Sequence, residues 1–139
     1  MRLFLFPIFT PMQVQFILYV QDQNKSTEFY KNLLDKKPCL FVQGMTEFQL
    51  NKNTKLGLMP NDSIAKLIPQ YIKHPNTGTT IPRCELYLKV DDVNTCYKKA
   101  LNLGATPINE PQQRDWGDYV GYVMDLDGHI VAFYSKKII

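Results

Sequence analysis

An internal repeat that covers about half of the chain restricts its fold more than any other feature of the sequence. Residues 13–38 read QVQFILYVQDQNKSTEFYKNLLDKKP, and residues 84–107 read CELYLKVDDVNTCYKKALNLGATP. Each has an apolar strand ending in acidic residues, then a helix with an apolar stripe, then a turn into a proline. The strands align at an offset of 85 − 15 = 70 residues and the prolines at 107 − 38 = 69. A period this long indicates duplication of one module rather than a solenoid, whose units are about 20 to 50 residues long.

Helix and strand signals continue in the same order in both halves. The first helix is predicted to begin at Asn24 or Ser26, and the second begins near Asp92 and ends at Gly104. Three short strands follow each helix, at PCLFV, MTEFQL and TKLGLM in the first half and at TPINE, DYVGYVMD and HIVAFYS in the second. The sequence therefore predicts one α+β domain over 1–139, made of two tandem βαβββ modules at about 12–60 and 83–136. The connector at about 61–82 holds three prolines and is predicted to contain one helical turn at SIAKLI.

Alternation along the first strand of each module separates an aliphatic side from a polar and aromatic side. The aliphatic sides, expected to cover the helices, consist of Phe16, Leu18 and Val20 in module one and of Leu86, Leu88 and Val90 in module two. The opposite sides consist of Gln15, Ile17 and Tyr19, and of Glu85, Tyr87 and Lys89. These opposite sides are the candidates for binding or chemistry.

Composition and cysteine usage exclude several classes of partner and site. The net charge is only +3, and the 16 Lys and Arg are scattered among 13 acidic residues, so nucleic-acid binding is not expected. Cys39, Cys84 and Cys96 are odd in number and lack zinc-site spacing, which favours reduced thiols and a cytoplasmic protein. Cys39 and Cys84 are expected to be buried and inert.

The first residues, MRLFLFPIFTPM, imitate a signal peptide because an arginine precedes an apolar run. The run is broken by Pro7, has no small-residue cleavage site and is too short to cross a bilayer, so no membrane partner is expected. We expect instead an extended N-terminal arm, either an edge strand or a strand exchanged between copies.

Several segments, in order and spacing, resemble the vicinal oxygen chelate superfamily. This superfamily contains glyoxalase I, extradiol dioxygenases, fosfomycin resistance proteins and bleomycin resistance proteins. The resembling segments are FILYVQDQNKSTEFYKNLL in module one and ELYLKVDD, GAT, RDWG and DLDGHIVAFY in module two. The resemblance implies that the modules form a curved mixed sheet with a concave cleft and that the protein is a homodimer. It is less specific about chemistry, because one scaffold carries many functions.

Metal ligands in this superfamily come from the first and last strand of each module. By the resemblance, these positions fall on Gln15 and Gly57 in module one and on Glu85 and Ala132 in module two. A catalytic divalent metal commonly needs about three protein ligands from His, Glu, Asp or Cys. Glu85 is the one good ligand at these positions and Gln15 is a weak one, so we expect no obligatory metal, no other cofactor and no metal-dependent enzyme.

The superfamily branch that fits a metal-free pocket is the bleomycin resistance type, which the RDWG segment resembles. Those proteins are non-catalytic dimers that sequester a large drug by stacking aromatic rings on its flat heterocycles, and Trp116 would be such a ring. The other candidate ligand-binding residues are Gln15, Tyr19, Glu85, Tyr87, Tyr122 and Tyr134. The alternative is that Trp116 caps the hydrophobic core.

Three interpretations therefore stay open. The first is a cytoplasmic, dimeric protein that binds a small organic molecule, planar or cationic, without a metal. The second is a lyase or isomerase of the same superfamily that uses Glu85 with a divalent ion, and the third is a degenerate module kept for dimerisation or regulation. Glu85 could recognise an amine, act as a general base or pair with Arg83 or Lys55, and Gln15 is expected to hydrogen-bond to Glu85.

Overall fold

The computed structural model describes residues 12–68, 70, 73–78 and 81–136. Module one contains β1 (Val14–Val20), α1 (Gln23–Leu34), β2 (Leu40–Val42), β3 (Met45–Asn51) and β4 (Thr54–Pro60). The connector holds α2 (Asn61–Leu67) and a 3-10 turn (Pro75–Gly78). Module two contains β5 (Glu85–Lys89), α3 (Val93–Asn102), β6 (Thr106–Gln113), β7 (Tyr119–Met124) and β8 (Ile130–Ser135). The predicted α+β order of two βαβββ modules is confirmed, and the predicted N-terminal arm lies outside the described residues.

Equivalent aspartates begin the two main helices. The Asp22 carboxylate accepts a hydrogen bond from the Lys25 N–H at 3.0 Å, and the Asp92 carboxylate accepts one from the Thr95 N–H at 3.0 Å. An aspartate in this position satisfies a backbone donor that the helix leaves unpaired. The two caps are 92 − 22 = 70 residues apart, the same offset as the first strands, so the sequence repeat is also a structural repeat.

Each module contributes a separate four-stranded mixed sheet, with strand orders β1-β4-β3-β2 and β5-β8-β7-β6. The first strand of each module runs parallel to the last, and the other neighbours are antiparallel. β1 and β5 therefore each lie at a sheet edge. We refer to the two as sheet one and sheet two.

A shared hydrophobic core joins the two modules. Its buried members from module one include Val20, Phe29, Tyr30, Phe48 and Leu58, and those from module two include Val93, Tyr97, Val123, Val131 and Phe133. Leu18, Leu86, Leu88 and Val90 pack against this cluster, as the alternation predicted. Phe16 is an exception to this pattern. It lies near the beginning of β1 and is 56% exposed, whereas Val20 near the end of the same strand and on the same side is fully buried, so the core covers only the later part of this strand. None of the helices in the described ranges is long and apolar enough to cross a membrane.

Strand register defines the face of each sheet that is turned away from the core, here called the outer face. On sheet two, Tyr87 lies opposite Ala132, which lies opposite Tyr122, so the three side chains share one face. On sheet one, Gln15 lies opposite Lys55 and Ile17 lies opposite Gly57, which lies opposite Glu47. The predicted polar and aromatic sides of both first strands are thus on the outer faces.

Candidate functional site

Four aromatic side chains meet on the outer face of sheet two and form what we call the aromatic patch: Tyr87, Trp116, Tyr122 and Tyr134. The rings of Tyr87 and Tyr134 are stacked, with centroids 4.4 Å apart and planes inclined by 22°. The Trp116 indole N–H donates a hydrogen bond to the Tyr87 hydroxyl at 2.9 Å. All four residues were predicted to bind ligand, and the structure brings them to one surface.

Trp116 is 60% exposed and takes no part in the hydrophobic core. It lies in the loop between β6 and β7, where Gly117 adopts a φ of 98° that favours glycine. The alternative that this ring caps the core is therefore wrong. Its hydrogen bond to Tyr87 holds an exposed indole in place, which gives the patch a flat apolar surface.

A buried carboxylate supports the patch from below. The Tyr87 hydroxyl donates to the Asp118 carboxylate at 2.8 Å, and the Lys136 ammonium lies 3.4 Å from the other oxygen of the same carboxylate. Burial of its ring and the bond to Asp118 raise the pKa of Tyr87 to about 12, although the bond from Trp116 acts in the opposite direction. Tyr87 therefore stays protonated and is a hydrogen-bond donor rather than a base.

Cations and one acid surround the rings. The Arg114 guanidinium lies 5.3 Å from the centroid of the Tyr122 ring, and it also donates to the Val120 carbonyl at 2.9 Å. Through these contacts Arg114 fixes the β6–β7 hairpin under the patch. Burial, followed by the charge of Glu85, raises the pKa of Tyr122. Glu85 is exposed and precedes Tyr87 by two residues on β5, so its carboxylate is on the same outer face.

Gln15 has a different partner from the one predicted. Its side-chain amide donates to the Glu47 carboxylate at 2.9 Å, and the Lys55 ammonium lies 3.3 Å from the other oxygen of Glu47. The predicted bond from Gln15 to Glu85 and the Lys55 to Glu85 ion pair are wrong, because Glu47 occupies both partners. The alternation in MTEFQL indicates that Glu47 faces away from the core, but its partners depend on the register of β3 with β4, which is set by non-local pairing.

Tyr19 also lies apart from the aromatic patch. It is on the outer face of sheet one near the end of β1, and it lines a cavity beside the connector. Five of the seven predicted ligand-binding residues are thus on sheet two, while Gln15 and Tyr19 are on sheet one.

The residues at the four positions to which the resemblance assigns metal ligands do not fit a catalytic divalent metal. Gly57 and Ala132 offer no side-chain donor atom, and the Gln15 amide is already committed to Glu47. The position of Glu47 next to Gln15 does not compensate, because the Lys55 ammonium neutralises this carboxylate. Glu85 remains as a single carboxylate, which is too few ligands for a catalytic divalent ion.

A group of three potential metal ligands lies elsewhere, in the turn between β7 and β8. The ligand atoms of Asp125, Asp127 and His129 are within 4.8 Å of one another. Donors of the protein already use them: Asp125 accepts from Tyr30 and from His129 Nδ1, and Asp127 accepts from Ser26 at 3.1 Å and from the Gln21 backbone at 2.8 Å. The group is therefore a polar junction between the two modules.

The cysteines differ from expectation in their exposure. Cys39 and Cys84 are exposed rather than buried, and Cys96 is partly buried. Cys39 lies just before β2 and Cys84 just before β5, where an edge or a loop leaves one side open. All three are free thiols.

A model of the family described as the glyoxalase-like domain matches residues 13–136. The chain belongs to this family. The match covers both βαβββ modules and the connector, and it places the glyoxalase-like chain within the vicinal oxygen chelate superfamily.

The chain is also similar to individual proteins over most of its length. The glyoxalase-like chain is 29% identical over 125 residues to the uncharacterized protein YraH of Bacillus subtilis (strain 168), covering 88% of this chain and 96% of that protein. It is 26% identical to the hypothetical protein SA1046 from S. aureus, with a TM-score of 0.71 over 92% of this chain and 94% of that one. A glyoxalase/bleomycin resistance protein/dioxygenase family enzyme from Burkholderia phytofirmans PsJN shares 15% identity and a TM-score of 0.76 over 88% of this chain and 97% of that one, which shows the common fold alone.

Proposed function

We propose that the protein binds a planar organic molecule on the aromatic patch without a metal and sequesters it, as bleomycin resistance proteins do with their drug. The observation that carries this proposal is the exposed Trp116 ring, held by its hydrogen bond to Tyr87 beside the stacked Tyr87–Tyr134 pair. An offset-stacked aromatic pair contributes about 0.5–1.5 kcal/mol beyond the burial of its area. Several stacking contacts of this size are typical of a binding protein, whereas an enzyme would depend on one activated catalytic side chain.

The charges around the patch indicate which planar ligand fits. Arg114 and Lys136 already lie over the rings of Tyr122 and Tyr134. The Trp116 ring and the side of the Tyr87 ring that is not stacked on Tyr134 are left for the ligand, with the Glu85 carboxylate on the same outer face. A planar ligand with an amine or another cationic group would stack on the indole and pair with Glu85.

We also propose that the binding form is a cytoplasmic homodimer. β1 and β5 are edge strands, and edge strands with unpaired backbone groups are templates for pairing with a second copy. Pairing of β1 with β5 of the second copy would place Gln15 and Tyr19 beside Glu85 and Tyr87, which would join the two outer faces into one cleft. Light scattering after size exclusion should give twice the chain mass of 16.1 kDa, and a monomer at the concentration where ligand binds would contradict the dimer.

The binding proposal is tested by thermal shift and calorimetry against planar cationic, neutral and anionic aromatic compounds. A ligand at about 100 times its dissociation constant stabilises the folded state by about 2.7 kcal/mol. Trp116→Ala should weaken binding about three- to tenfold, whereas Phe41→Ala, which removes a similarly exposed ring on β2, should leave it unchanged. The absence of a shift from the whole panel, or equal binding by the two variants, would refute the proposal.

Metal independence has a separate test. The protein and Glu85→Ala are incubated with zinc, nickel and manganese, freed of unbound ion and submitted to elemental analysis. We expect no stoichiometric metal in either. Stoichiometric metal that disappears in Glu85→Ala would establish a metal centre and favour a lyase or isomerase instead.

A further inference from the structure

The cavity that Tyr19 lines lies between the end of β1, the connector and the turn before β8. Its volume is about 160 Å³, and its polar lining residues are Tyr19, Asn61, Arg83, Cys84, Asp127 and His129. A single water needs about 10–15 Å³ of such space, and a site for a drug-sized ligand has about 300–1,000 Å³. The cavity therefore suits a molecule of a few non-hydrogen atoms and not the planar ligand of the aromatic patch.

The acidic groups near this cavity are already hydrogen-bonded by the protein. Asp127 accepts one hydrogen bond on each carboxylate oxygen, from the Gln21 N–H and from the Ser26 hydroxyl. Asp125 lies behind His129 and accepts from the backbone N–H groups of Asp127 and His129, each at 2.9 Å, as well as from side chains. Asp125 thus uses all of its roughly four acceptor sites, whereas Asp127 uses two of them.

The basic side chains that line the cavity, in contrast, have donor groups without protein partners in the described ranges. A carboxylate only accepts, so His129 donates through Nδ1 to Asp125 at 2.8 Å, and within the described ranges its Nε2 has no hydrogen-bond partner. In the same ranges Arg83 belongs to none of the ion pairs. Burial alone would lower the pKa of His129, but the bond and charge of Asp125 outweigh it and raise that pKa, so the imidazolium is favoured.

From this inventory of donors we propose that the cavity binds a small oxyanion, a carboxylate or a phosphate, between the Arg83 guanidinium and His129 Nε2–H. The buried bond from His129 to Asp125 fixes the imidazole, and Asp125 is in turn held by the buried Tyr30. The Tyr19 hydroxyl in the lining can supply a third donor. Charge-assisted hydrogen bonds from preorganised donors are the usual way in which proteins hold such groups. This site is distinct from the aromatic patch in both position and ligand class.

Proton NMR of the histidine imidazoles tests the proposal, because the chain has only two histidines and His74 is not a lining residue. The probes are sodium acetate and inorganic phosphate, titrated at pH 6 and compared with sodium chloride at equal ionic strength. We expect a saturable shift of the His129 resonance with at least one oxyanion, no such shift with chloride and an unaffected His74. A response to acetate alone assigns a carboxylate, and a response to phosphate alone assigns a phosphate.

Variants separate a built site from general charge attraction. Arg83→Gln should weaken binding of the oxyanion about tenfold, which is the factor expected for the loss of one charge-assisted hydrogen bond. Lys37→Gln removes the same charge from an exposed position after α1 and should bind like the parent protein. Trp116→Ala should also leave the response unchanged, so failure of the planar-ligand proposal would not affect this one. No saturable shift of His129 with either oxyanion, or equal affinity of the two charge variants, would overturn the inference.

Discussion

Replacing Tyr30 with phenylalanine removes one hydroxyl from the junction between the two modules. Tyr30 on α1 is 1% exposed, and its hydroxyl donates to Asp125, which is 4% exposed and lies 95 residues away in the turn before β8. A hydrogen bond to a charged group contributes about 1.5–3 kcal/mol. Asp125 keeps three other donors, from the Asp127 and His129 backbone and from the His129 ring. We therefore expect Tyr30→Phe to lower the free energy of unfolding by about 2 kcal/mol.

Urea unfolding measures this loss directly. With a denaturant slope of about 2 kcal/mol per molar, the midpoint should fall by about 1 M. The control is Tyr119→Phe, which removes a hydroxyl that donates to Asn94 at an exposed position, and its effect should be about 0.5 kcal/mol or less. Equal effects of the two variants would show that the buried bond does not hold the modules together.

The loss of stability caused by Tyr30→Phe should depend on pH. Burial would raise the pKa of Asp125, but hydrogen bonds from His129 and Tyr30 outweigh it and hold that pKa below the ordinary value of 3.8. A carboxyl group with a depressed pKa stabilises the folded state above its unfolded pKa, and the contribution is lost as the pH falls through the folded pKa. The effect of Tyr30→Phe should therefore be constant above about pH 4 and shrink below it. An effect that grows in acid would contradict this sign.

Three further predictions follow from the described contacts. The ion pair between Asp125 and His129 should stabilise the protein most between about pH 4 and pH 6.5, because the pKa of Asp125 is lowered and the pKa of His129 is raised. Urea unfolding should show that the stability difference between the parent protein and His129→Gln falls as the pH rises through the pKa of His129. Gly121→Ala should cost about 1–3 kcal/mol because its new Cβ would lie 2.8 Å from a proline ring, whereas Gly57→Ala meets the flexible end of a glutamine side chain and should cost less; calorimetric unfolding of both compares them. Acrylamide should quench the fluorescence of Trp116 readily in the free protein and less readily with a ligand on the patch, and strong shielding in the free protein would contradict its exposed position.

The fold could be predicted from the sequence because its signals are local and occur twice. Alternation in each first strand identified the core side. The predicted helix starts, at Asn24 or Ser26 and near Asp92, lie one to three residues from the observed starts at Gln23 and Val93. Phe16 was assigned to the covered side by the same rule and is exposed, because alternation gives the side that a residue faces and not how far the core extends along the strand. Local patterns thus predicted the elements, whereas the burial of individual residues depended on tertiary packing.

The site was less predictable because its decisive contacts join distant parts of the chain. Glu47 reaches Gln15 only through the register of β3 with β4 and of β4 with β1. Asp125 appeared in the sequence as part of a tight turn, and nothing near it indicated that Tyr30 would donate to it. The side that each residue faces is a local property, whereas its partner is decided by packing.

The missing metal ligand in sheet two and the aromatic patch are two aspects of one arrangement. Ala132 is fully buried and lies between Tyr87 and Tyr122 on neighbouring strands, so only a methyl group fills the space between the two rings. A histidine or glutamate there would need that space for its own side chain, and it would displace the ring of Tyr87 from its stack with Tyr134. A metal ligand at position 132 and a continuous aromatic surface are therefore mutually exclusive in this sheet. The residue that removes the donor atom is also the residue that lets the rings lie together.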